Sequence, residues 1–173
     1  MKSIVAGALL ASCVLSTTAQ AAEATVAFQM PLNIENWKPD ILGRNGMYRF
    51  RQVRGACQIT FAQNLGADAA KAAGRTPRDT LEVYVRQLGT RMRDVTRSKA
   101  PDLELRANTG DPIALLSEEV AYRGNDGVDY RNRLSAQWVG SVELLIIAGC
   151  PATEWGRQQA AINAFIGKVS VHR

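Results

Sequence analysis

Residues 128–148 read VDYRNRLSAQWVGSVELLIIA, and this stretch decides the fold. Over 128–138, Tyr130, Leu134, Ala136 and Trp138 share one phase, while Arg131, Arg133, Ser135 and Gln137 take the other. Strict alternation of this kind predicts a strand with one apolar and one polar face. Gly140 turns the chain. Residues 142–148 are then almost wholly apolar, the pattern of a central strand covered on both faces.

Working outward, Asn125-Asp126-Gly127 is a turn signal that joins this hairpin to a less regular strand over 116–122. Residues 103–107 alternate and stop at Asn108-Thr109-Gly110. Over 47–53, Tyr48 and Phe50 oppose Arg49 and Arg51. A turn at Arg54-Gly55 follows, and Cys57, Ile59 and Phe61 continue as the paired arm. Val26, Phe28 and Met30 mark a first strand over 24–30. The Pro-, Asn-, Asp- and Gly-bearing segment 31–46 reads as an irregular loop pinned by Trp37, and 64–75 as a loop with a helical turn near 67–73.

Two helices complete the pattern. Thr76-Pro77-Arg78-Asp79 is a helix start, with Thr76 as cap, Pro77 at the first helical position and Asp79 closing a capping box. The apolar stripe Leu81, Tyr84, Val85, Leu88, Met92 and Val95 predicts a helix as far as Ser98. Arg86, Arg93 and Arg97 lie on its other side, and Glu82 is placed to pair with Arg86. A last helix from Thr153 buries Trp155, Ile162, Phe165, Ile166 and Val169, and 169–171 extends as a short strand. The order β-β-β-α-β-β-β-β-α is that of an α+β domain: a largely antiparallel sheet flanked by helices.

Residues 1–21 read as a cleavable export signal. Lys2 is the charged start, 4–15 is a short apolar run, and Ala19-Gln20-Ala21 is the small-x-small cleavage pattern. One domain then occupies 22–173, and the expected location is the periplasm. Leu10-Ala11-Ser12-Cys13 offers a second reading, lipidation and retention at Cys13. No later segment is apolar for long enough to span a bilayer as a helix. After cleavage Cys57 and Cys150 are the remaining cysteines, and in an oxidising compartment they are expected to form a disulfide.

The chain carries 21 Lys+Arg against 16 Asp+Glu, a net charge of +5. This mild excess fits a mixed charged surface. Nucleic-acid binding is not expected, because the aromatics fall at core phases and the chain is exported. Histidine argues against acid–base catalysis: the one His is His172, beside the C-terminal residue. Asp126 and Asp129 flank a turn without the spacing of a calcium loop. Glu118 and Glu119 are adjacent on a strand and so face opposite ways. The sequence 43–46, GRNG, lacks the Lys-Ser/Thr of a phosphate loop. No catalytic residue, metal ligand or cofactor is therefore expected. The candidate binding residues are Arg49, Arg51, Arg131 and Arg133, which would form an anion- or partner-binding face if their strands were close.

The element order resembles the PsbP-like group, which includes the bacterial periplasmic DcrB proteins. The resemblance is carried by Trp37, the 48–61 hairpin, Thr80-Leu81-Glu82-Val83-Tyr84-Val85 with Leu88, the 125–127 turn, the strand Val142-Glu143-Leu144-Leu145-Ile146-Ile147 and the helix from Thr153. It covers nearly the whole mature chain by pattern, without a diagnostic motif, and the Cys57–Cys150 pair is not a mark of the group. It implies an α/β/α sandwich and a non-enzymatic accessory role. The leading expectation is thus an adaptor that binds another envelope or periplasmic protein, including the special case of a toxin-neutralising immunity protein. A small-ligand or lipid carrier would need a pocket between sheet and helix, lined by residues such as Trp138, Met92 and Phe165. A hydrolase would need two opposed carboxylates in a cleft.

Overall fold

A computed structural model describes residues 26–32 and 34–173, with Arg44 described in its backbone alone. The export signal, the Cys13 alternative and the start of the first strand at Ala24 lie outside the described residues. The elements are β1 (Ala27–Gln29), β2 (Trp37–Arg44), β3 (Met47–Gln52), β4 (Gln58–Leu65), α1 (Ala67–Ala72), α2 (Pro77–Gly89), β5 (Arg93–Lys99), β6 (Leu103–Ala107), β7 (Pro112–Arg123), β8 (Asp129–Val139), β9 (Val142–Pro151), α3 (Ala152–Ile166) and β10 (Ser170–His172).

The strands form one sheet in the order β1-β10-β6-β7-β8-β9-β4-β3-β2, with β5 also paired to β7. Pairing is antiparallel except between β10 and β6, so the sheet is mixed. β5 and β6 follow one another along the same edge of β7: Lys99 pairs with Glu118, and Leu103 with Leu115. The link between them, residues 100–102, stands opposite Leu116 and Ser117 of β7. Its Asp102 Oδ1 accepts the Ser117 N–H at 3.1 Å.

β9 lies between β8 and β4, and both of its faces are covered, as its unbroken apolar run requires. Leu144, Ile146, Ala148 and Cys150 join Ile59, Phe61, Phe50 and Leu115 in one buried cluster, which α3 closes with Trp155, Ile162, Phe165 and Ile166. The alternate residues Leu145 and Ile147 join Leu134, Ala136 and Val120 in a second cluster, which α2 closes with Leu81, Tyr84, Val85 and Leu88. The sheet curls about the first cluster until its far end returns to β4. There the Phe28 ring meets Phe61 edge-on at 5.3 Å, and the Phe28 N–H donates to Gln63 Oε1 at 2.9 Å.

Three sequence expectations are corrected. The segment 31–46 is not all loop. Trp37–Arg44 is strand β2, hairpin-paired to β3 through Asn45-Gly46. These two residues have φ of 51° and 69°, the left-handed pair that two-residue hairpins demand. A Cβ on Gly46 would stand 2.4 Å from the Gln63 carbonyl oxygen, so only glycine closes this turn.

The helix expected to reach Ser98 stops at Gly89, and residues 93–99 are β5 instead. Thr90 Oγ1 caps the Gln87 carbonyl at 2.7 Å, and the segment beyond finds a ladder on β7. Glu82 therefore pairs not with Arg86 but with Arg97, at 2.7 Å. The short strand expected over 169–171 is β10, which pairs with both β1 and β6.

Arg97 ties α2 to the sheet. Its guanidinium is shared between Glu82 on α2 and Glu118 on β7, the latter at 2.6 Å with Glu118 only 7% exposed. Two carboxylates beside it hold the Arg97 guanidinium well above its usual pKa, through their hydrogen bonds first. Replacing Arg97→Met leaves the Glu118 carboxylate enclosed without its cation, and the expected loss is about 2 kcal/mol. Arg97→Met with Glu118→Leu should recover most of it. Urea midpoints of the two variants check this; a full-sized loss in the double variant would refute it.

Cys57 and Cys150 are bonded across β4 and β9, one step beyond the Gln58–Gly149 register pair, and both are buried. Their sequence separation of 93 gives an expected loss of about 4–5 kcal/mol on removing the bridge, an upper figure from chain entropy. Urea unfolding of the Cys57→Ala/Cys150→Ala variant beside the oxidised protein measures it.

Candidate ligand-binding cleft

A cavity of about 530 Å³ lies on the α2 side of the sheet, between α1, α2 and the ends of β4, β8 and β9. Local signals set its walls. The N–H groups of Gly66 and Ala67 both donate to the Ser141 carbonyl, at 3.2 and 3.1 Å, which anchors α1 to the β8–β9 turn. The Thr76–Asp79 capping box and Pro77 start α2 at the opposite wall. Leu65, Ala70, Val83, Tyr84 and Leu145 supply apolar lining.

One polar cluster is set into this lining. The Trp138 indole N–H is shared between Thr80 Oγ1 and Glu143 Oε1, both at 3.2 Å. The Thr80 hydroxyl donates to the same Glu143 oxygen. Asn64 Nδ2 reaches Glu143 Oε2 at 3.3 Å. Trp138 and Glu143 face each other as a cross-strand pair, so the hairpin that decides the fold also sets this pair in place. Arg75 and Asp79 also line the cleft. Asp79 accepts the Thr76 N–H at 2.7 Å, and its carboxyl sits below the usual range because of the Thr76 hydrogen bonds, with Arg75 adding to them. Burial pushes the Tyr84 phenol up.

Of the residues expected to line a sheet–helix pocket, Trp138 does so. Met92 lies beyond the end of α2. Phe165 belongs to the opposite face, beside Trp37 at 5.4 Å. Sequence reasoning missed Glu143, Thr80 and Asn64. The available signal was Glu143 itself, the one charge in an otherwise apolar strand.

The four arginines do not form one face. β4 and β9 separate β3 from β8. Register runs from Arg49 through Thr60 and Ile147 to Leu134, and from Arg51 through Gln58 and Gly149 to Asn132. Arg131 and Arg133 alternate with those residues and so project from the other face. Arg49 and Arg51 share Asp40, at 2.7 and 3.3 Å. Arg133 donates to the Pro101 carbonyl, and burial lowers its pKa.

Glu118 and Glu119 point apart as expected, to Arg97 and to Gln159. Asp126 serves the turn, accepting from the Val128 N–H and from the Tyr130 hydroxyl at 2.7 Å. Among the described residues no three His, Cys, Asp or Glu side chains are grouped to hold a metal. No described helix is long and apolar enough to cross a membrane.

No family model matches this chain, and no curated protein matches it in sequence. Its fold does have solved counterparts. The solution structure of cyanobacterial PsbP (CyanoP) from Synechocystis sp. PCC 6803 superposes with a TM-score of 0.50. The match covers 91% of this chain and 98% of that one, at 11% identity. The fold is PsbP-like; at that identity the likeness speaks for the fold alone.

Asp79, Glu82 and Asp126 are all held below the usual carboxylate range, chiefly by hydrogen bonds from Thr76, Arg97 and Tyr130 respectively. A folded-state pKa below the unfolded one adds stability that is complete above about pH 4–5 and is lost as pH falls through the lowered values. The melting temperature should therefore hold steady from neutrality to about pH 5 and decline below about pH 4. Asp79→Asn should shrink that decline. A melting temperature that rises on acidification would contradict these assignments.

Proposed function

We propose that this protein is an exported, non-enzymatic binding protein whose ligand site is the cleft between α1, α2 and β9. The observation that carries this reading is the cleft itself: about 530 Å³, walled by apolar side chains, with one pre-assembled polar cluster of Trp138, Thr80, Glu143 and Asn64. A small number of placed polar groups in a mostly apolar cavity is the usual build of a small-molecule site. The ligand is a small amphipathic molecule. This puts the carrier reading ahead of the adaptor reading that the sequence favoured.

The adaptor reading, with its immunity-protein variant, keeps one support of its own. β2 ends the sheet order, and Leu42 on it is 62% exposed. An edge of that kind can accept a strand from a partner. The hydrolase reading asks for two opposed carboxylates free to act; of the two that line the cleft, Asp79 is taken up by the Thr76 capping box, which leaves Glu143 without a carboxylate partner for that chemistry. Cleavage after Ala21 and residence in the periplasm belong to the same proposal, and the charged start, apolar run and Ala19-Gln20-Ala21 of residues 1–21 support them. We further read the two helix-covered faces as the α/β/α sandwich of the PsbP- and DcrB-like group.

Native mass spectrometry of protein purified from its own compartment tests the proposal. A small molecule should be retained at one per chain and lost in Ala69→Trp, which plugs the cleft from the exposed side of α1. Retention of a stoichiometric protein and no small molecule, unchanged by Ala69→Trp, would transfer the function to the edge strand.

A further inference from the structure

We infer that the cleft takes an organic cation: an ammonium group carrying an apolar chain or ring. This rests on the reading of the cleft as the ligand site and adds the chemistry of its occupant. The first observation is charge. Among the described residues, Glu143 and Asp79 line the cavity against one cation, Arg75, in a chain whose formal net charge is +5. The lining is therefore net negative where the chain as a whole is net positive. An anionic ligand would enter against that charge.

The second observation is the unequal use of the two Glu143 oxygens. Oε1 accepts from both Thr80 and Trp138, whereas among the described residues Oε2 receives the Asn64 amide alone, at 3.3 Å. An ionised carboxylate offers about four acceptor positions. Oε2 can thus accept a donor from a ligand without losing a partner it already has.

The third observation is aromatic. Trp138 and Tyr84 line the same space, and aromatic rings beside a carboxylate attract ammonium groups. The indole N–H is held on Thr80 and Glu143, so ring and carboxylate are positioned before any ligand arrives, which lowers the ordering cost of binding. Leu65, Val83 and Leu145 provide the surface for the apolar part. Asp79 is committed to Thr76 and acts through its field.

The test titrates the purified protein with octyltrimethylammonium, octylamine, octanoate and octanol, by calorimetry and by tryptophan fluorescence, with Trp138→Phe assigning the optical signal. At least one of the two cations should bind about tenfold or more tighter than octanoate and octanol. Glu143→Gln should remove that preference while leaving octanol binding in place. Arg75→Gln, an exposed change that does not threaten folding, should tighten cation binding about twofold. Octanoate or octanol binding as tightly as the cations would overturn the charge assignment and leave the cleft a ligand site. Failure of all four to bind would overturn both readings. Should Glu143→Gln not fold, an unaltered cation affinity in Arg75→Gln would overturn the assignment.

Discussion

Strand β9 cannot be left in water on either face, and the rest of the architecture answers that constraint. Its even- and odd-numbered side chains belong to two different buried clusters, so one layer must come from α3 and the curl of the sheet and the other from α2. Without both, a run of Leu, Ile and Val would be exposed over the length of a strand, at about 25 cal/mol per Å² of apolar surface. The disulfide sits at the end of the same strand, on the α3 side, and holds it to β4.

The α2 layer is held differently from the α3 layer. α3 follows directly from β9, so its position is largely set by the chain. α2 is held by packing and by the Glu82–Arg97–Glu118 bridge, which reaches from helix to β5 to β7. The proposed ligand cleft opens beside this helix, at its first turn, where Thr80 meets Trp138 and Glu143. The position of α2 therefore decides the shape of the cleft.

Much of the fold was legible in the sequence because alternation, capping and turn chemistry act between near neighbours. The 128–148 hairpin, the capped start at Thr76 and the terminal helix were all read from such patterns. Two elements were misread for separate reasons. Asn45-Gly46 is a strong hairpin signal, but it was obscured by the Pro and Gly residues before it, and β2 tolerates Pro39 because it is an edge strand. The stretch 90–99 continued an apolar helical stripe through Met92 and Val95. Its strand state comes from hydrogen bonds to β7, which no local pattern can report. The candidate site was less legible still: Trp138 was named as a pocket residue, but its cross-strand neighbour Glu143 on the same hairpin was not, and Thr80 and Asn64 come from a helix and a strand distant in sequence.

By itself the sequence determined a largely antiparallel sheet with helices, one strand that had to be buried on both sides, and the two cysteines that bridge. Only the tertiary structure decided where the long helix ends, that the two arginine pairs look out of opposite faces, and that Glu143, Thr80, Trp138 and Asn64 meet in a cleft. Periodicity tells which residues share a face within one strand. Relating faces across strands needs the register and order of every strand between them, and those are settled by long-range pairing.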